Sequence, residues 1–422
     1  MLHVCPRVLI FSTAVLSLAT GANASLGPFE HGAGIKSMGA GGVSYVGAQE
    51  TTALSANPAL MSGLGRRYDV GLDVLMLHPD SRIEGNAAGP DSRSPSDGRR
   101  WYFIPQAGLS LPLNDRWTFG ITMLQAGLGP DYPQSPYVRF GGAQRASLSL
   151  GSGSIVPALA WRATPTQSFG AGLVLGYQFL DVKGLQFLTS TDPQSRVSRH
   201  PDKVTNQGKD GAFSIGYTLG WTGELSPSVS AGIGYRSKSW TQKLDDYRGL
   251  LPDNGSLELP AAYGAGLSWK VAAPWTVAVE WQRYQYESER AFRNSITELS
   301  AGHLLGSSSG PGFGWENQNA FKIGVTWDVR PDLALRAGYV HADQIIQESD
   351  TLFSKMAPAT MTTHYTGGVT YIWRQWELTG ALTYCPRQEV DGENSIPAAF
   401  GGGEAIVKNE FFSGGFSLGR RF

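Results

Sequence analysis

From Arg67 onward the chain alternates. Tyr68, Val70, Leu72, Val74 and Met76 interleave with Asp69, Gly71, Asp73, Leu75 and Leu77, so one face is apolar and the other mixed. A period of two marks a β-strand. It recurs in Phe169, Ala171, Leu173, Leu175, Tyr177 and Phe179, and in Trp275, Val277, Val279 and Trp281 opposite Glu280 and Gln282. Phe321, Ile323, Val325, Trp327 and Val329 likewise oppose Lys322, Gly324, Thr326 and Asp328. The pattern predicts strands near 67–77, 101–111, 117–126, 148–163, 169–183, 211–224 and 229–242. It continues at 257–271, 275–286, 317–329, 333–344, 363–373, 376–385 and 405–422, about fourteen strands in all. Short turns at 114–116, 164–167, 226–228, 272–274, 330–332 and 374–375 alternate with long polar loops at 79–100, 127–147, 184–210, 243–256, 287–316, 346–362 and 386–404. An even strand number, with short turns at one end and long loops at the other, is the plan of an outer-membrane barrel with both chain ends periplasmic.

Composition narrows the choice. Gly is 54 of 422 residues, aromatics are 11% and charged residues 16%, against about 25% charge in an average globular chain. No run after residue 25 approaches the roughly 18 apolar residues of a membrane helix. Lipid otherwise admits only a closed barrel. Trp117, Trp269, Trp275, Trp327, Trp373 and Trp376 gather near the turns, as an interfacial girdle would. A large soluble sandwich or propeller explains neither girdle nor loop asymmetry. The expected fold is an all-β, antiparallel transmembrane barrel in a bacterial outer membrane. A net charge of −1 without a basic stripe argues against a nucleic-acid partner.

The N-terminal residues divide in two. Residues 1–24 read as a signal peptide, with Arg7, an apolar core at 8–18 and a cleavage site at Ala22-Asn23-Ala24. Cys5 leaves with it, so Cys385 has no disulfide partner and the expected role is packing between strands. Residues 25–65 are Gly- and Ala-rich, poor in charge and too broken for a strand or stable helix. With 66–422 forming the barrel, the lumen is their natural place, as a hatch whose Gly39, Gly41 and Gly42 allow close packing on the wall. At the other end Phe412, Phe416, Leu418 and Phe422 share a face. That ending looks like the signal read by the barrel-insertion machinery, with Arg420 departing from its apolar pattern.

Candidate chemistry is sparse. Gly34-Ile35-Lys36-Ser37 lacks the glycine spacing and flanks of a phosphate loop, and Gly39-Ala40-Gly41-Gly42 those of a dinucleotide site. The seven histidines lack metal-ligand spacing. No catalytic residue, metal or cofactor is expected, and the chain reads as a non-enzyme. Lys322 and Arg336 should point into the lumen, either to bind a substrate head group or to pair with acids such as Glu280 and Asp328. The apolar stretches 128–137 and 185–188 either line a capture groove or pack loops together.

The stretch HGAGIKSMGAGGVSYVGAQETTALSANPALM (31–61) and the following RRYDVGLDVLMLHPDSRIEGN resemble the start of FadL/TodX-type outer-membrane transporters. So do LNDRWTFGITML, HADQ, QKLDDYRGLLPDNGSLELPAAYGAGL and LLGSSSGPGFGWENQNAFKIGV, which extend the resemblance over the whole mature chain. Its most specific parts are Asn57-Pro58-Ala59 and the DDYRG run at 245–249. The resemblance implies a fourteen-stranded barrel closed by an N-terminal hatch, importing long-chain fatty acids or other hydrophobic molecules, aromatic hydrocarbons among them. Extracellular loops would capture the substrate from the lipopolysaccharide-coated surface. It would leave sideways into outer-membrane lipid through a wall opening made by a kink in the third strand, near Asn57-Pro58-Ala59. Gly120 is that strand's interior glycine and a candidate for the bend. An open diffusion porin and a surface receptor or adhesin are the alternatives.

Overall fold

The structure, a computed structural model, describes residues 26–47 and 49–422. The signal-peptide reading of 1–24 lies outside the described residues. Fourteen long strands form the wall among them: β1 Arg67–Leu77, β2 Trp101–Pro112, β3 Trp117–Leu128, β4 Ala146–Thr164, β5 Gln167–Lys183, β6 Asp210–Ser226 and β7 Val229–Arg236. They continue as β8 Ala262–Ala272, β9 Trp275–Tyr284, β10 Gln318–Arg330, β11 Leu333–Ala342, β12 Thr363–Trp373, β13 Trp376–Asp391 and β14 Glu404–Arg421. Each pairs antiparallel with its sequence neighbours. β1 also pairs with β14, from Arg67↔Arg421 to Leu77↔Phe411, and this closes the barrel. The described helices are all too short to cross a membrane.

The wall is apolar outside and polar inside. Leu382 is 71% and Phe213 64% exposed, whereas Asp73, Glu280 and Lys322 are at most 4% exposed. That inversion suits lipid outside and a polar lumen. Trp275 stacks on Trp327 at 5.0 Å and Trp117 on Trp161 at 6.1 Å, beside the short turns. Arg420 lies 4.9 Å from the ring centres of both Trp376 and Phe422, so its charge rests on aromatic faces at the interface. Cys385 is fully buried among Leu75, Leu77, Tyr102, Ile104, Met361 and Phe411.

Three strands depart from their expected lengths, and one of them, β8, starts at Ala262 instead of near 257, just past Pro260. β13 runs past Pro386 to Asp391, because a bulge between Cys385 and Gln388 absorbs the proline's missing donor before pairing resumes. β7 stops at Arg236, where the Ser237 hydroxyl accepts the Tyr217 N–H at 2.9 Å in place of a ladder bond. Trp240–Thr241 then rejoins β6.

The N-terminal segment packs on the inner face of the wall. It contains α1, Ile35–Gly39, and two 3-10 turns, Thr51–Ser55 and Pro58–Gly63. Wall glycines from separate strands receive it: Gly170 and Gly220 meet residues 57–59, Gly232 the Tyr45 carbonyl, Gly324 and Gly338 residues 40–41, and Gly368 meets Gly39. A Cβ at any of the first five would overlap backbone or the Asn57 side chain. Small inward residues thus let main chain approach main chain. Ions fix the seat. Glu377 of β13 binds Lys36 of α1, Arg67 at 2.9 Å and Arg421 at 2.7 Å, and Arg67 also bonds Asp69 at 2.5 Å. Asp69 in turn accepts the Thr51 N–H at 2.8 Å.

Candidate functional site

One joint of the wall is incomplete. β2 and β3 pair only from Gly108↔Thr122 to Pro112↔Thr118, although both strands continue upward. Extending that register would set Ala107 against Met123, Gln106 against Leu124 and Pro105 against Gln125. Pro105 supplies the physical cause. Its carbonyl faces β3, where it accepts the Gln125 side-chain amide, so the N–H missing from Pro105 is one that β3 would need. At the foot of the split the Thr122 hydroxyl donates to the Ala107 carbonyl at 3.2 Å. Higher up, β3 finds a different partner in the N-terminal segment: Gly127 N–H donates to the Pro28 carbonyl at 2.8 Å, and Phe29 bridges to Ala126.

A cavity lies behind this joint. Ile104, Pro105 and Gln106 line it from β2, and Met123, Leu124 and Gln125 from β3. Its floor is the segment Phe29–Gly34 with Ser44 and Tyr45, and its far wall includes Arg236, Gln282, Tyr284 and Lys322. The Arg236 guanidinium sits 4.3 Å from the centre of the Phe29 ring, which itself stacks on Tyr284 at 5.1 Å. Arg236 Nη2 is buried without a hydrogen-bond partner.

A second cavity lies among the long loops and strand tops. Leu128, Tyr137, Leu185, Phe187 and Leu188 line it with Leu148, Leu180, Leu250, Phe313, Phe353 and Met356. Both apolar stretches noted in the sequence therefore meet in one place. Phe187 stacks on Tyr137 at 5.3 Å and contacts Phe140 and Phe400. Buried polar ties hold the loops. Lys355 Nζ donates to Ser81 Oγ at 2.9 Å and to the carbonyls of Arg82 and Ile406 at 2.6 and 3.2 Å. Burial pushes that ammonium well below the usual lysine range. Asp350 accepts the Ile296 N–H at 2.6 Å, and Tyr247 of the DDYRG run donates to the Gly208 carbonyl at 2.6 Å.

The structure distributes the residues singled out in the sequence as follows. Lys322 is bound by Glu280 at 2.9 Å, Gln282 at 2.6 Å and the Gly42 carbonyl at 3.1 Å. Arg336 donates to Gln49 at 2.8 Å and Thr370 at 2.8 Å. Both cations serve the joint between N-terminal segment and wall, and Lys322 also borders the cavity behind the split. Asn57 donates to the carbonyls of Tyr45 and Trp221 at 2.8 and 3.0 Å and caps the turn begun by Pro58 by accepting the Ala59 N–H at 3.1 Å. Gly39 and Gly41 lie against the wall, and Gly42 lies against His31 of its own segment. Gly120 belongs to the paired part of β3, opposite Ser110, where it makes room for Leu54 and Met61. Sequence reading passed over Pro105, Gln125 and Arg236. A proline inside an alternating strand was the available signal for the first.

The described residues contain no cluster fit to hold a metal. The arrangement holds two cavities, one of them behind the unpaired stretch of β2 and β3. No curated protein sequence matches the chain. The toluene transporter TodX of Pseudomonas putida superposes with a TM-score of 0.70 at 20% identity, over 93% of this chain and 99% of TodX. The Ralstonia pickettii toluene transporter TbuX gives 0.64 at 19%, over 93% and 99%. A FadL homologue of Pseudomonas aeruginosa gives 0.68 at 15%, over 93% and 98%. These likenesses show the fold. The family profile described as outer membrane protein transport protein (OMPP1/FadL/TodX) matches residues 33–395. The chain therefore belongs to the OMPP1/FadL/TodX family of outer-membrane transport proteins.

Proposed function

We propose that this barrel takes up hydrophobic small molecules from outside the cell and releases them sideways into the outer membrane. Residues 25–65 act as a hatch that closes the straight route to the periplasm. The carrying observation is that one luminal cavity is lined by both edges of the broken β2–β3 joint. The apolar loop cavity is the capture site. Transfer into it gains about 25 cal/mol per Å² of ligand surface removed from water, enough to draw sparingly soluble compounds past lipopolysaccharide. The ligand then passes to the luminal cavity and out through the split. Insertion of the barrel itself relies on the strand ending in Phe422. An open diffusion porin fits less well, because the N-terminal segment is packed and ion-paired against many strands.

Among hydrophobic ligands, TodX and TbuX are described as toluene transporters, and fatty acids are the other class that the resemblance to FadL/TodX-type transporters implies. Arg236 decides which suits this chain better. A guanidinium with an unpartnered, buried nitrogen beside an aromatic ring fits an amphiphile with a carboxylate. Arg236→Gln is expected to weaken binding of a fluorescent fatty acid about tenfold, since hydrogen bonds to charged groups contribute about 1.5–3 kcal/mol. Binding of toluene should be unaffected. Equal affinities for the fatty acid in both proteins would remove Arg236 from the substrate path. Failure of the native protein to bind either ligand would contradict the transport reading.

A further inference from the structure

We propose that Gln125 is the latch of the side opening, a single side chain that holds the split narrow between passages. The inference rests on the lateral-release reading and names the residue that controls it. Along β3, Trp117, Phe119, Ile121, Met123 and Gln125 share one parity, the lipid-facing one on which Trp117 is 41% exposed. Gln125 is the polar member of that row. A side-chain amide facing hydrocarbon carries a heavy desolvation cost unless it is hydrogen-bonded. Its partner is the Pro105 carbonyl, which a regular ladder would have given to a backbone donor. The side chain therefore bridges the gap at the height where the extended register would have paired these two residues. It also lines the luminal cavity, so anything leaving that cavity through the split must pass it.

Three features make this a latch rather than part of the sheet. Proline removes the backbone bond that would share the load. The stretch of β2 above Gly108 has no ladder to β3, so opening breaks side-chain contacts and leaves the paired base intact. Gln125 has an alternative partner when it swings, because a passing carboxylate or hydroxyl can accept the same amide protons. For an apolar ligand, opening leaves the amide without its partner and so costs at least one neutral hydrogen bond, about 1 kcal/mol or more, equivalent to at least about fivefold in an equilibrium. Thr122, bonded to Ala107 below, marks the hinge.

The test uses the full-length protein in nanodiscs whose lipids carry a fluorescence quencher, with pyrene added from the water phase. Quenching reports arrival in lipid, and pyrene has no polar group to interact with residue 125. Gln125→Ala and Gln125→Leu, the latter matched in size and suited to lipid, should both raise the transfer rate at least about fivefold. Equilibrium binding in the loop cavity and resistance of the barrel to SDS should stay as in the native protein. Transfer in the native protein with unchanged or slower rates in both variants would overturn the latch while leaving lateral release standing. Absence of protein-dependent quenching in the native protein would overturn the lateral route, and the latch with it.

Discussion

Replacing Glu377 with alanine is expected to unseat the N-terminal segment and turn a closed barrel into a conducting one. Glu377 is 2% exposed and is the shared anion of Lys36, Arg67 and Arg421. Lys36 is 4% and Arg67 1% exposed, so removal of the carboxylate leaves two buried cations facing each other across the joint, with Asp69 as Arg67's remaining partner. Breaking one member of a buried pair costs about 3–5 kcal/mol, more than an intact pair contributes, because the orphaned charge stays desolvated. The wall keeps its ladders, so the strain falls on α1. Planar-bilayer recordings should show steady current through Glu377→Ala and little through the native protein. Equal conductance in the two would show that this network does not hold the hatch.

The second large effect is expected at the loop cavity. Phe187 is half-buried, contributes to the lining and joins Tyr137, Phe140 and Phe400 in one aromatic group. Phe187→Asp exchanges apolar contact for a carboxylate that must stay hydrated, and a hydrated charge excludes an apolar ligand. Losing about 100 Å² of apolar contact is equivalent to about 2.5 kcal/mol, so affinity for pyrene or toluene should fall at least tenfold. Fluorescence titration of the detergent-solubilised protein measures it. Because Phe187 belongs to a loop, SDS resistance should persist. Unchanged affinity would place capture elsewhere.

The wall was readable from the chain because a membrane barrel writes the same rule on every strand. Val70 and Leu72 had to face lipid and Asp69 and Asp73 had to face inward, and the alternation says so without knowledge of neighbours. The lumen was harder. Parity turns Lys322 and Arg336 inward, but it does not tell whether an inward cation meets a ligand or the N-terminal segment. Here Glu280, Gly42 and Gln49 are the partners, and Gly42 and Gln49 come from a segment with no period at all. Gly120 shows the same limit. An interior glycine signals close approach of something, and in this barrel that something is Met61 and Leu54. The break in the β2–β3 ladder follows from Pro105, whose effect depends on which neighbour its missing N–H would have faced. That direction emerges only once the register of β1, β2 and β3 is known.

Closing the split by a covalent bond tests lateral release most directly. Gln106 and Leu124 both line the luminal cavity and stand opposite each other in the extended register. In a Cys385→Ser background, Gln106→Cys with Leu124→Cys can form a disulfide only when the two strands come within about 4.4–6.8 Å between Cα atoms. Transfer of pyrene into quencher-bearing nanodisc lipid should drop at least tenfold on oxidation and return on addition of reductant, with binding in the loop cavity retained throughout. Undiminished transfer through the fully oxidised protein would contradict the side exit.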